Sequence, residues 1–214
     1  TILATMDEKI DLPKGTLNVI FGGMPIFTKA IGDSHIKSVI FKGSRDHVDA
    51  IRSSFYRHPD RKLILLLSGK NSVIVHSSAC VQKAAHMIIS GMTKNAGQLC
   101  SSTKQVFCYR SLLPELMKNL KSYLDKIEIM PPICNELNIK SKTQEQKLYM
   151  GPLISKESVE SFSCFQTMAQ REAKKTISWG KRYENQDNPG WYASPCVNLV
   201  DNLSTQTTYQ SLII

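Results

Sequence analysis

The sequence contains no CxxC pair, and no histidine follows His86. Its six cysteines are scattered (Cys80, Cys100, Cys108, Cys134, Cys164, Cys196) and all five histidines precede Cys100, so the ligand spacing of a zinc site is missing. No metal is expected. No apolar run approaches the ~18 residues of a membrane span, and no basic segment followed by an apolar one opens the chain like a secretory leader. The cysteines therefore read as reduced thiols of a cytoplasmic protein rather than a disulfide framework, and most should be small core residues. Long basic blocks are absent as well. Lys and Arg number 27 against 18 Asp and Glu, a net charge of +9, yet they come singly or in pairs such as Lys174-Lys175 and Lys181-Arg182. Ordinary solvated lysines account for that scatter, so neither nucleic acid nor a membrane is expected as a partner.

What is present is ordinary globular composition. The 214 residues are 42% hydrophobic and 21% charged, enough to bury a real core and too apolar for a disordered chain. Residues 1–10 carry apolar positions at helical spacing, ended by Leu12-Pro13-Lys14-Gly15. Leu17–Phe21 reads as a buried strand closed by Gly22-Gly23, followed by a short helix near 25–31. Strand Ile36–Phe41, a helix from Asp46 to Tyr56 and strand Leu63–Leu67 come next. Such alternation predicts a parallel α/β sheet. Further on, the patterns predict strand Val73–Val75, helix Val81–Met92, strand Gln105–Tyr109, helix Leu112–Ile127 and a connecting loop over 130–148. A helix starting at Ser155 and strands at Thr176–Trp179, Tyr192–Val200 and Leu212–Ile214 complete the reading.

Cys100 is the residue with the clearest chemical potential. It lies in Asn95-Ala96-Gly97-Gln98-Leu99-Cys100-Ser101, between a helix and a strand. Small neighbours let a substrate approach a thiol there, and a backbone N–H beside the sulfur can face a developing oxyanion. No histidine lies nearby in sequence to activate it, which argues against a papain-type nucleophile. Phe41-Lys42-Gly43-Ser44 ends a predicted strand and opens a helix, a place where glycine lets a phosphate approach the backbone; tight turns use the same pair. Ser68-Gly69-Lys70-Asn71 reads as a turn or as part of a site wall.

Taken in order, Leu12-Pro13-Lys14-Gly15-Thr16-Leu17-Asn18-Val19, Phe41-Lys42-Gly43-Ser44, Leu66-Leu67-Ser68-Gly69-Lys70-Asn71, Gly97-Gln98-Leu99-Cys100 and Gly151-Pro152-Leu153-Ile154 resemble the aldehyde dehydrogenase superfamily over essentially the whole chain. The Gly22-Gly23 turn and Met150–Ser155 look most like its succinylglutamate semialdehyde branch. The resemblance implies an α/β fold, with residues 1–65 the C-terminal part of a Rossmann-like NAD(P)-binding domain. Residues 66–214 would be a partial catalytic domain. It implies that Cys100 attacks the aldehyde, that its backbone N–H supplies half of an oxyanion hole, and that Gly43, Ser44 and Leu67 lie near an NAD or NADP cofactor. A small aldehyde would be the substrate and a homo-oligomer the assembly.

The departures from that family are specific. Its general-base Glu aligns with Leu66, which cannot activate water, and a lost base costs ~10² to 10⁴ in rate. The glycine four residues beyond Ser44 is Val48, a branched residue where backbone and cofactor should come close. Thr208 and Gln210 stand where the family has a ribose-binding Glu and a Phe. Two expectations follow: a diverged interior slice of an aldehyde oxidoreductase, or a non-catalytic descendant that keeps the fold for binding or structure. Acylating relatives that hand the acyl group to coenzyme A also lack the base, so Leu66 does not by itself exclude oxidoreduction.

Overall fold

The computed structural model describes residues 13–56, 60–67, 69–131, 148–184 and 189–200. The expected helix over 1–10, the terminal strand at Leu212–Ile214, Cys134, Thr208 and Gln210 lie outside the described residues, as does most of the 130–148 connection. The chain divides into two compact units, Thr1–Leu67 and Ser68–Ile214, each taken by itself below.

In the first unit, helix α1 (Met24–Ile31) starts with Pro25 in its first turn, where a missing N–H costs nothing. Strand β1 (Ser38–Gly43) is followed by a single 3-10 turn (Arg45–His47) and helix α2 (Val48–Tyr56), and β2 (Lys62–Leu67) completes the unit. β1 and β2 pair in parallel over Ser38↔Lys62 to Gly43↔Leu67. Alternate residues of the ladder point to opposite sides. Val39 and Phe41 enter a core with Ile31, Ile51 and Phe55, against which Leu63, Leu65 and Leu67 pack. Arg61 lies buried at its edge, donating from Nη1 to the Ile31 carbonyl at 2.8 Å.

The second unit is built on the parallel pair β3 (Asn71–Val75) and β4 (Thr103–Cys108). Helix α3 (Val81–Thr93) presents Val81, Ala85, Ile88 and Ile89, the i, i+4, i+7, i+8 stripe of an amphipathic helix. These residues meet Val75 and, from α4 (Leu113–Leu124), Leu116 and Leu120. Two short parallel strands, β5 (Glu128–Ile129) and β6 (Tyr149–Met150), lead to α5 (Lys156–Glu172). Ser155 caps α5 by accepting from the Ser158 N–H at 3.2 Å. Strand β7 (Lys175–Trp179) pairs antiparallel with β10 (Cys196–Leu199), and β8 (Arg182–Tyr183) with β9 (Tyr192–Ala193).

Three expectations are corrected. Leu17–Phe21 forms no strand and is exposed, Phe21 at 90%. No described strand pairs with it, and an apolar run without a ladder partner has nothing to order it. The single strand expected over Tyr192–Val200 is two, β9 and β10, broken at Ser194-Pro195; proline has no N–H to give a ladder. Finally, none of the five described cysteines is buried. Cys80, Cys100 and Cys164 are exposed and Cys108 and Cys196 half-buried, all free thiols. Cys80 sits at the N-cap of α3, and Cys164 lies on α5 away from its buried Val159 and Phe162.

Candidate functional site: a cysteine after a left-handed turn

The first unit brings four of the expected positions together. In the parallel ladder Lys42 stands opposite Leu66, and Gly43 opposite Leu67. Leu66 is 52% exposed, an aliphatic side chain in solvent where the resemblance expects a carboxylate. Gly43 has a packing reason of its own. A Cβ there would come within 2.6 Å of the Phe41 ring, a core side chain that cannot withdraw. The Ser44 hydroxyl is already engaged: it accepts from the Asp46 N–H at 3.4 Å and donates to the Asp46 carboxylate at 2.9 Å. Val48 is 5% exposed, so the position where the resemblance expects glycine holds a buried branched side chain. A diphosphate would meet a carboxylate at this strand end, with the serine turned towards that acid. These residues do not fit a dinucleotide.

The second unit carries Cys100. After α3 the chain enters a tight turn in which Asn95 (φ 51°), Ala96 (φ 53°) and Gly97 (φ 73°) are successively left-handed. Only the glycine takes that region without steric cost; a non-glycine residue there stores about 1–2 kcal/mol. Burial offsets the cost at Ala96. The residue is 3% exposed and packs in a second core with Met150, Leu153, Val159, Phe162 and Ala193. Beyond the turn, the Ser102 N–H donates to the Leu99 carbonyl at 3.1 Å, while Asn71 Nδ2 donates to the Ser101 carbonyl at 2.9 Å. Gly69 and Asn71 therefore flank Cys100.

Two side chains that sequence reading passed over hold this turn. Lys104 donates to the Gly97 carbonyl at 2.6 Å, and burial pushes its amine below the usual lysine range. Gln98 uses its whole amide: Nε2 donates to the Asn95 carbonyl at 2.9 Å and, longer, to Pro152 at 3.4 Å, while Oε1 accepts from the Ile154 N–H at 2.8 Å. A largely apolar cavity of about 290 Å³ adjoins the turn, lined by Ala96, Gly97, Lys104, Leu116, Met150 and Phe162 among others; Cys100 does not line it. Among the described residues no three His, Cys, Asp or Glu side chains gather to hold a metal, and no helix is long and apolar enough to cross a membrane.

The two units share an α/β build, each resting on a parallel strand pair with helices packed against it. The sequence profile of the aldehyde dehydrogenase family matches residues 1–209, and the chain belongs to that family. Among curated relatives it is 28% identical over 181 residues to a 3-sulfolactaldehyde dehydrogenase of Priestia megaterium, covering 84% of this chain and 35% of that one. It is 24% identical over 203 residues to an alpha-ketoglutaric semialdehyde dehydrogenase of Bacillus subtilis, covering 94% and 39%. Among solved structures, a betaine aldehyde dehydrogenase double mutant from Staphylococcus aureus, in complex with NAD+, superposes with a TM-score of 0.83 at 23% identity, covering 99% of this chain and 40% of that chain. The α/β fold is thereby that of the aldehyde dehydrogenases. The chain spans little more than a third of the length of the relatives it matches.

Proposed function

We propose that this chain carries the nucleophile of an aldehyde-oxidising site without its general base or cofactor grip, and that on its own it turns over no aldehyde. The observation that carries this reading is the exposed Cys100 just beyond a turn held by Lys104 and Gln98. Its thiolate adds to an aldehyde carbonyl carbon, and the oxygen takes a proton to give a thiohemiacetal. Completing the family's reaction takes hydride removal, the chemistry NAD(P) supplies when bound, and then transfer of the acyl group to water. Leu66 cannot deprotonate that water. Ser44, capped onto Asp46, and buried Val48 support weak or absent binding of NAD or NADP here.

Residues 1–65 would correspond to the end of the family's NAD(P)-binding domain and 66–214 to part of its catalytic domain, in a cytoplasmic, homo-oligomeric oxidoreductase. Gly43, Ser44 and Leu67 would be what is left of the cofactor side. Met150–Ser155 and Gly22-Gly23 favour a semialdehyde substrate of the succinylglutamate type, and the Bacillus relative's name is consistent with that class. The losses at Leu66 and Val48 equally support the second reading, a non-catalytic family descendant.

The test is a titration with NAD and NADP, followed by a semialdehyde with absorbance monitored for reduced cofactor. No saturable cofactor binding and no reduction are expected. Reduction that Cys100→Ser abolishes would show an active enzyme and overturn the proposal.

A further inference from the structure

We infer that Gln98 is a positioning residue for Cys100, acting as an amide clamp between the strained turn and the Pro152–Ile154 segment; the inference rests on Cys100 being the nucleophile. Pro152 and Ile154 are two residues apart, so the carbonyl of one and the N–H of the other face the same side of an extended chain. The Gln98 amide meets both, as a neighbouring strand would. The pairing fixes which amide atom is which: Ile154 offers only a donor, so oxygen must face it, and nitrogen must face the two carbonyls. Because Nε2 also holds the Asn95 carbonyl at 2.9 Å, one side chain ties the first left-handed residue of the turn to a segment 54–56 residues further on.

Three features make this tie matter to Cys100 rather than to the fold at large. The turn contains Asn95 and Ala96 at positive φ, which relax once unrestrained. Cys100 lies two residues beyond Gln98, in the Leu99–Ser102 turn that follows directly, so a rotation at Gln98 changes where its thiol stands relative to its backbone N–H. The cores of this unit are built from other side chains, and Gln98 is in neither. Attack on a carbonyl needs the sulfur and an oxyanion donor correctly placed relative to each other. Alkylation needs only an accessible thiolate. A clamp should therefore govern the first reaction and leave the second nearly alone.

The experiment compares two reagents on the intact chain, with site-resolved mass spectrometry at Cys100 and at exposed Cys80 as internal reference. p-Nitrophenyl acetate acylates the thiolate: an S–C bond forms at the carbonyl, the C–O bond breaks and nitrophenolate leaves. Iodoacetamide alkylates it with loss of iodide. Gln98→Met is expected to slow Cys100 acylation at least about tenfold while changing its alkylation less than about twofold. Gln98→Glu keeps the acceptor for the Ile154 N–H and should recover part of the loss. Equal acylation-to-alkylation ratios in wild type and Gln98→Met, or equal losses in both reactions, would overturn the clamp. A wild-type Cys100 acylated no faster than Cys80 would instead overturn the nucleophile reading, and the clamp with it.

Discussion

Lys104 shows how one residue's environment becomes a property of the whole chain. Its amine lies beneath the Cys100 turn, donating to the Gly97 carbonyl, and burial holds its pKa below the ordinary 10.5. The unfolded chain keeps that proton up to about 10.5, whereas the folded chain releases it earlier. Between the lowered folded value and 10.5 the unfolded state binds more protons, so this lysine makes stability rise with pH across that window. Below the window the half-buried ammonium imposes a constant cost. Urea midpoints taken near neutrality and again at about pH 10 should show a gain in wild type that Lys104→Met lacks, once the background of exposed lysines common to both is subtracted. A gain of the same size in Lys104→Met would mean that the amine is not desolvated. The same substitution removes the tie to Gly97, so its neutral-pH stability reports the hydrogen bond and the desolvation cost together.

At the scale of elements, legibility followed periodicity. The stripe Val81, Ala85, Ile88, Ile89 and the alternation of Val39 and Phe41 with outward Ile40 announce helix and strand, because each pattern matches a single backbone period. Leu17–Phe21 carries a strand's composition but no described partner, and β propensity acts only through neighbours. Pro195 marks the break between β9 and β10 in plain sight, yet the apolar residues around it outweighed it. Cys100 was legible as a candidate from its small and polar neighbours, and the structure leaves it exposed. The clamp was not, since nothing local to Gln98 points to residues 152 and 154. The same packing logic predicts how the elements respond to damage. Ile89, wholly buried between α3, α4 and β3, should lose about 2–5 kcal/mol of stability on truncation to Ala. Ile74, 76% exposed on the opposite side of β3, should lose no more than about 0.5 kcal/mol on the same change. Chemical denaturation of the two variants checks the contrast; similar losses would mean that β3 buries its other face.

For the molecule as a whole, the decisive feature is a β1–β2 ladder that, among the described residues, is covered on one side only. A parallel pair ordinarily has both faces covered, because its crossovers lay helices over them. Here α1 and α2 accompany the Val39 and Phe41 side of the β1–β2 ladder, while Ile40 (65% exposed), Ile64 (38%) and Leu66 (52%) form an aliphatic row on the other. Leu66 belongs to both accounts: it stands where the resemblance expects a general base, and it also extends this row. Contiguous apolar surface of this kind drives association, since each Å² withdrawn from water contributes about 25 cal/mol. The 214-residue chain should therefore sediment with increasing weight-average mass as its concentration rises. Replacing Ile40, Ile64 and Leu66 together with Thr keeps strand propensity and removes most of the aliphatic area, so that variant should stay near the monomer mass of 24.0 kDa. Unchanged association would assign it to another surface, such as the exposed Leu17–Phe21 run. If association disappears, Leu66 belongs to the surface that makes the chain adhesive, and activity measured at high concentration would describe an aggregate rather than the fold.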